Sequence, residues 1–549
     1  MRPIFAPIAF LASLAASTSA LAQSVDQAPP KLVVAISIDQ FSADLFAQYR
    51  QHFTKGLGRL LQGAVFPSGF QSHAATETCP GHSTILTGAH PSRSGIVANN
   101  WYDPAIKRAD KRVYCAEDET DPKSTSDDPV VSARHLKVPT LGDRLKAADK
   151  NSRNVAVSAK DRAAVMMGGH RIDQAYWWKG GAFVTLPKRK LDRAAVAASA
   201  VAAKTIAEGA SDFAVPAWCA GRDRAVAVGE GAVGTGRFAL RPGKESDFRA
   251  SPRMDQAVAG LALKLADSMR LGKRRSTDVL SVSFSATDYI GHGTGTEGLE
   301  MCIQMAELDK TLGDFFTQLD AENLDYVAVL TADHGGFDMP ERLVQQGFPA
   351  KRIDDTLDTK ALAWAVTSQT GIAAPAGSDL LYTDGPSGDF YVNRSLPPAE
   401  KARVVETLSG LAGANPQVEA VFTAAEIAAV PVPVGAPQDW TILQRARASF
   451  DAERSGDLMV FLKRGIVPIA HGAPGRVATH GSVWDYDRRV PILFWRKGLA
   501  GFEQPAPIET VDIAPTLAAV IGLKVPAGEF DGRCLDIDGS ARDVCTGVR

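Results

Sequence analysis

Short β-branched runs recur along the chain at long intervals. Leu32-Val33-Val34-Ala35-Ile36-Ser37-Ile38, Val155-Ala156-Val157, Val279 to Phe284, Tyr326 to Leu330 and Val490 to Phe494 hold apolar or small residues at nearly every position. Runs of this length without polar alternation predict strands buried on both faces, as in a parallel sheet. Between them apolar residues return at helical spacing, most clearly from Leu299 through Leu308, Leu312 and Phe315-Phe316. The stretch Asp512-Ile513-Ala514-Pro515-Thr516-Leu517 predicts another helix, with Asp512 as its N-cap. Strands alternating with helices predict an α/β fold with helices on both faces of the sheet. No internal repeat is visible.

Three segments interrupt the alternation: residues 103–140, 164–276 and 337–475. Each is too long for a plain loop. They read as insertions into one domain spanning residues 23–549, and they are expected to build a cap beside the C-terminal edge of the sheet. The Ala/Pro/Gly-rich stretch around 371–376 predicts a surface turn.

The start of the chain has a different pattern. Arg2 is followed by the short apolar run Ile4 to Leu14, and Ala20-Leu21-Ala22 is a small-x-small sequence. This predicts a signal peptide over residues 1–22 and export of the mature chain, with the periplasm as the expected destination and extracellular release equally compatible with the signal. The run is too short to span a bilayer, and no later stretch is apolar enough to do so. Export bears on the cysteines. The chain has six, Cys79, Cys115, Cys219, Cys302, Cys534 and Cys545, and an even count in an exported chain predicts disulfides. Cys534 and Cys545 would close a short loop. No CxxC pair suggests a Cys-rich zinc site.

At 549 residues, 45% hydrophobic and 22% charged, with a formal net charge of −2, the chain has an ordinary globular balance. That charge gives no general attraction for nucleic acid or membrane, so any positive potential must be local to a site.

Candidate chemistry gathers where strands end, the active edge of an open α/β sheet. The first run ends in Asp39-Gln40. The Phe284 run leads into Asp288-Tyr289-Ile290-Gly291-His292, and the Leu330 run into Asp333-His334-Gly335-Gly336. Thr479-His480-Gly481-Ser482 precedes the Ile492 run. Alone, an Asp after a strand is most often a cap or turn residue. Together, Asp39, Asp288, His292, Asp333, His334 and His480 are mixed carboxylate and imidazole ligands, which suit zinc better than magnesium or calcium. They exceed the need of one tetrahedral ion and fit two, an arrangement able to hold the attacking and leaving oxygens of an in-line displacement. His52, His73, His82, His90, His135, His170 and His471 are left to structural or supporting roles, with His82 and His471 as the strongest exceptions.

Thr76-Glu77-Thr78-Cys79-Pro80-Gly81-His82-Ser83-Thr84 predicts a helix with Pro80 in its first turn and a stop at Gly88. Thr78 then lies at the helix N-terminus. There it is either an ordinary N-cap or a hydroxyl whose anion the helix stabilises. Cys79 competes as nucleophile. Sulfatases use a modified cysteine in Cys-x-Pro-x-Arg, but here Pro80 follows Cys79 directly and Ser83 stands in the Arg position, which argues against that class.

Taken in order, these motifs resemble the alkaline phosphatase superfamily. The match is closest to its branch with a threonine nucleophile, shared by PafA-type alkaline phosphatases and nucleotide pyrophosphatase/phosphodiesterases. It runs through Asp39, Thr78-Cys79-Pro80-Gly81-His82, Gly95 to Tyr102, Asp288/His292, Asp333-His334-Gly335, Thr479-His480-Gly481 and Thr510 to Leu517, nearly the whole mature chain. The resemblance implies a three-layer sandwich around a mostly parallel sheet, with inserted cap segments. It implies two zinc ions per subunit, one held by Asp288, His292 and His480, the other by Asp39, Asp333 and His334 and touching the Thr78 oxygen. It makes Thr78 the nucleophile and Asn99 a phosphate ligand. Ser158-Ala159-Lys160-Asp161-Arg162 resembles the Lys-x-Arg pair of the PafA-type enzymes, two cations suited to the extra ionisable oxygen of a monoester.

The expectation is therefore a monomeric, periplasmic phosphomonoesterase acting on small-molecule phosphate esters, weaker on diesters, without nucleic acid or stable membrane insertion. Its rivals are a phosphodiesterase or nucleotide pyrophosphatase, a phosphonate hydrolase on the same scaffold, and an inactive zinc-binding module.

Overall fold

The structure is a computed structural model that describes residues 28–103 and 106–546. The signal-peptide reading of residues 1–22 lies outside the described residues. A ten-stranded sheet runs through the centre. Its strands are β1 (Leu32–Ile38), β2 (Ala64–Phe70), β3 (Asn154–Ser158), β4 (Gln174–Lys179), β5 (Ala182–Thr185), β6 (Asp278–Phe284), β7 (Tyr326–Thr331), β8 (Arg489–Arg496), β9 (Phe502–Glu503) and β10 (Ile508–Glu509). Their order is β9-β2-β8-β7-β1-β6-β3-β4-β5, with β10 also paired to β2. All pairings are parallel except those made by β8 and by β5 with β4.

The central strands are buried on both faces, as their unbroken apolar runs require. Leu32, Val34, Ile36 and Ile38 of β1 face one core, and Val33 and Ala35 face the other. The first core is covered by helices Pro252–Ser268 and Leu299–Ala321, the second by Thr78–Thr87 and Ile513–Val520. This makes the three layers. Among the described residues, no helix is long and apolar enough to cross a membrane.

Three local expectations are refined and one strand was not foreseen. The Val490–Phe494 run is not parallel: β8 pairs antiparallel with both β7 and β2. Its N-terminal end consequently lies at the edge where its parallel neighbours end, which is how residues 479–487 reach the site. β2 escapes the pattern because Pro67, Ser68 and Gly69 interrupt its apolar run, and its register with β8 shifts there. Asp512 stands at the N-cap position of the last helix as expected, but its carboxylate makes no capping bond and accepts instead from the Glu509 and Arg533 amides (3.0 and 2.8 Å). Residues 164–276 do not form only a cap, because they supply β4 and β5 to the central sheet and a long core helix.

Residues 337–475 carry a four-stranded sheet with helices Thr359–Thr370 and Pro398–Gly413, packed around their own core of Val366, Phe390, Val404, Leu408 and Val460. Three disulfides, Cys79–Cys115, Cys219–Cys302 and Cys534–Cys545, use every cysteine. The last is the short loop expected from the spacing.

Candidate active site

Four neighbouring strands, β7, β1, β6 and β3, end side by side. In-register pairing brings Ile38 of β1 level with Phe284 of β6, and the Asp39 amide then donates to the Phe284 carbonyl (2.9 Å). Asp333 stands two residues past β7, Asp39 one past β1 and Lys160 two past β3. Asp288 lies in the first turn of α-helix Ala286–Thr294, just beyond β6. Helix Thr78–Thr87 approaches from β2 and stops at Gly88, whose positive φ of 65° a side chain would disfavour. Gly81 lets this helix touch the end of β7: a Cβ there would sit 1.8 Å from the Asp333 carbonyl oxygen.

The predicted ligands converge. Asp288, His334 and His480 place ligand atoms within 4.8 Å of one another, and so do Asp39, His82 and Asp333. His292 Nε2 lies 3.3 Å from Asp288 Oδ1, and His334 Nε2 lies 3.3 Å from Asp333 Oδ2. His334 thus stands between the two groups rather than only beside Asp39 and Asp333. The His334 and His480 rings stack with centroids 3.6 Å apart.

The imidazoles are oriented alike. His292, His334 and His480 each donate Nδ1–H to a backbone carbonyl, of Ala478 (3.0 Å), Gly335 (2.8 Å) and Thr76 (2.8 Å). That turns every Nε2 toward the carboxylates, the orientation that prepares histidine for a metal. Burial and the neighbouring His334 lower the His480 pKa to about 4, so its ring is neutral at pH 7. Burial pushes the Asp288 carboxyl up, but Lys160 and His292 outweigh it and hold it well below the usual range. Asp333 is likewise held down, by His334 and His82 against its burial. Asp288 Oδ1, Asp333 Oδ2 and His334 Nε2 are buried and make no hydrogen bond. Buried polar atoms without partners are costly in isolation and fit coordination to cations.

Thr78 begins its helix and is buried. Its Oγ1 lies 3.5 Å from both Lys160 Nζ and Arg162 Nη2. Lys160 Nζ also lies 2.6 Å from Asp288 Oδ2 and 3.0 Å from Asp39 Oδ2. Burial disfavours its charge, but these carboxylates raise its pKa above the ordinary value. Asn99 Oδ1 accepts from the Cys79 amide (2.9 Å), which leaves its NH₂ group to donate elsewhere. The Asn99 amide donates to Glu77 Oε2 (2.7 Å). The site thus joins an anion-stabilising helix start, two cations, an amide donor and two clusters of metal-ligand side chains. Such a set can bind a phosphoryl group and displace at phosphorus.

The predicted ligands meet here with Thr78, Lys160 and Arg162, and Asn99 reaches the site through the Cys79 amide. Of the two histidines set aside as exceptions, His82 belongs to the site. Its Nδ1 donates to the Thr78 carbonyl (2.8 Å), and its Nε2 lies 3.4 Å from Asp39 Oδ1. Its position four residues after Thr78, on one helix face, was the available signal. His471 is remote, 87% exposed and 3.6 Å from Asp355. Cys79 is bonded to Cys115 and offers no thiolate, which removes it as a nucleophile. Tyr114 carries no motif of its own. Its hydroxyl donates to Asp161 Oδ1 (2.6 Å) and lies 3.5 Å from Arg162 Nη1.

Comparison with known proteins agrees with this geometry. Residues 33–483 match the model of the type I phosphodiesterase / nucleotide pyrophosphatase family. Alkaline phosphatase PhoK of Sphingomonas sp is 52% identical over 536 residues, covering 96% of this chain and 94% of that protein. Alkaline phosphatase PhoD of Zymomonas mobilis is 45% identical, covering 94% and 89%. The crystal structure of alkaline phosphatase PafA superposes with a TM-score of 0.80 at 25% identity, over 93% of this chain and 99% of that one.

Proposed function

Because the chain belongs to the type I phosphodiesterase / nucleotide pyrophosphatase family and is similar to alkaline phosphatases over nearly its whole length, we propose that it is a zinc-dependent alkaline phosphatase. It is a phosphoric ester hydrolase; the finer reading is a preference for small-molecule monoesters, with weaker turnover of diesters. The reading includes export to the periplasm, action as a monomer, and no nucleic-acid partner. The observation that carries it is the pair of cations, Lys160 and Arg162, each 3.5 Å from Thr78 Oγ1.

Two zinc ions held by Asp288, His292 and His480 and by Asp39, Asp333 and His334 would supply Lewis-acid stabilisation of the entering and leaving oxygens. The chain's own residues do the rest. Thr78 Oγ1 attacks phosphorus, the P–O bond to the leaving group breaks, and a phosphothreonine forms. Lys160, Arg162 and the Asn99 amide grip the non-bridging oxygens, and the helix N-terminus beneath Thr78 favours their charge. Water then attacks the phosphothreonine, releasing phosphate and restoring the hydroxyl.

A monoester has one more ionisable oxygen than a diester, so the cation pair matters more to it. Lys160→Ala with Arg162→Ala is expected to lower kcat/KM for an aryl phosphate about 10²- to 10⁴-fold, since each charged hydrogen bond contributes about 1.5–3 kcal/mol. A bis-aryl phosphate should lose about ten-fold or less. The two rates, measured side by side, test the assignment. Equal losses would reduce the pair to scaffolding, and a wild-type enzyme faster on the bis-aryl ester would favour the phosphodiesterase reading.

A further inference from the structure

Arg162 needs an explanation beyond its charge. Among the described residues, its guanidinium meets Tyr114 Oη and Thr78 Oγ1, both at 3.5 Å, while its Nε is buried with no hydrogen-bond partner. Neither neighbour is a carboxylate. Asp161 is adjacent in sequence, yet none of its carboxylate hydrogen bonds is to the guanidinium. It is held otherwise. Asp161 Oδ1 accepts from the Tyr114 hydroxyl (2.6 Å) and from the Arg162 backbone amide (2.7 Å).

A phenol has a single proton. Tyr114 gives that proton to Asp161, so it can offer Arg162 only a lone pair, and Nη1 donates to it. Tyr114 is itself well fixed. It lies in the strand Arg112–Tyr114, paired with Asn100–Tyr102, and Asn100 is directly opposite Tyr114. The next residue, Cys115, donates its amide to the Asn99 carbonyl (2.9 Å) and is disulfide-bonded to Cys79, the neighbour of Thr78. One braced hairpin therefore carries both Asn99 and the hydroxyl that orients Arg162.

We propose that Tyr114 is the positioning residue for monoester selectivity: its hydroxyl detains Asp161 and props Arg162 beside Thr78, leaving the guanidinium free for the additional anionic oxygen of a monoester. The proposal rests on the monoesterase reading of the site. Without the hydroxyl, Asp161 loses a partner and competes for Arg162.

The test compares wild type with Tyr114→Phe, Arg162→Ala, Tyr114→Phe/Arg162→Ala and Tyr114→Phe/Asp161→Asn, assayed on an aryl phosphate and a bis-aryl phosphate. The Kd of inorganic phosphate is measured by calorimetry, and Tm reports folding. Tyr114→Phe should lower aryl phosphate kcat/KM and weaken inorganic phosphate binding about ten-fold, with a loss of about two-fold or less on the diester. In the Arg162→Ala background the same change should cost about two-fold or less, because the group it acts through is gone. Asp161→Asn, which removes the competing charge, should recover most of the phosphate affinity. Equal losses on both esters, a full loss in the Arg162→Ala background, or no loss at all would overturn the proposal. If wild type itself prefers the diester, the monoesterase reading fails first. If wild type prefers the monoester and Tyr114→Phe is neutral, only the role of Tyr114 falls.

Discussion

Thr78→Ala is expected to lower phosphate monoester turnover by about 10⁴- to 10⁶-fold, the range seen when a covalent nucleophile is removed from an intact site. The argument is geometric. Thr78 is the hydroxyl at the helix start that both cations approach, and the competing nucleophile, Cys79, is tied up in a disulfide. The substitution removes a hydroxyl and a methyl at the end of a helix, so the fold should persist. Acid-quenched reactions with labelled substrate should trap phosphoenzyme in wild type and none in the variant. Undiminished labelling of Thr78→Ala would place the nucleophile elsewhere.

The second large effect is expected from metal removal. Dialysis against a chelator should lower activity by about 10³-fold or more, and zinc, not magnesium or calcium, should restore it. Elemental analysis should find two zinc ions per chain. Asp333→Ala or His480→Ala should lower that content, because each takes a ligand from a different cluster. The acid limb has a defined sign. The His480 pKa is depressed to about 4, so its imidazole is available as a ligand above that pH and is lost as protons compete below it. Zinc content should therefore fall as the pH drops toward 4. Full activity in chelator, or a single zinc per chain, would reject the two-metal reading.

Much of this site is legible without coordinates because it is built from strand ends. Asp39, Asp333 and Lys160 follow runs whose apolar continuity identifies them as central strands, and parallel neighbours must deliver their ends to one edge. His480 is harder. It is delivered by a strand that runs the opposite way, and an apolar run says nothing about direction. β2 was hidden by Pro67 and Gly69, although it leads directly to Thr78. Tyr114 could not be singled out, because its contacts with Asp161 and Arg162 join residues 47 and 48 positions apart, and spacing alone does not reveal them. Which of the ligand side chains come within reach of one another is similarly not written in the spacing. His334 lies close to carboxylates of both clusters, and no motif encodes that.

The Cys79–Cys115 bond ties together two parts of the site that are 36 residues apart in sequence. It joins the residue beside Thr78 to the residue beside Tyr114, so it laces the helix start to the hairpin. Glutathione in a reducing cytosol would keep that lace undone. Breaking it would cut the one covalent cross-link between the start of the Thr78 helix and the strand that carries Tyr114.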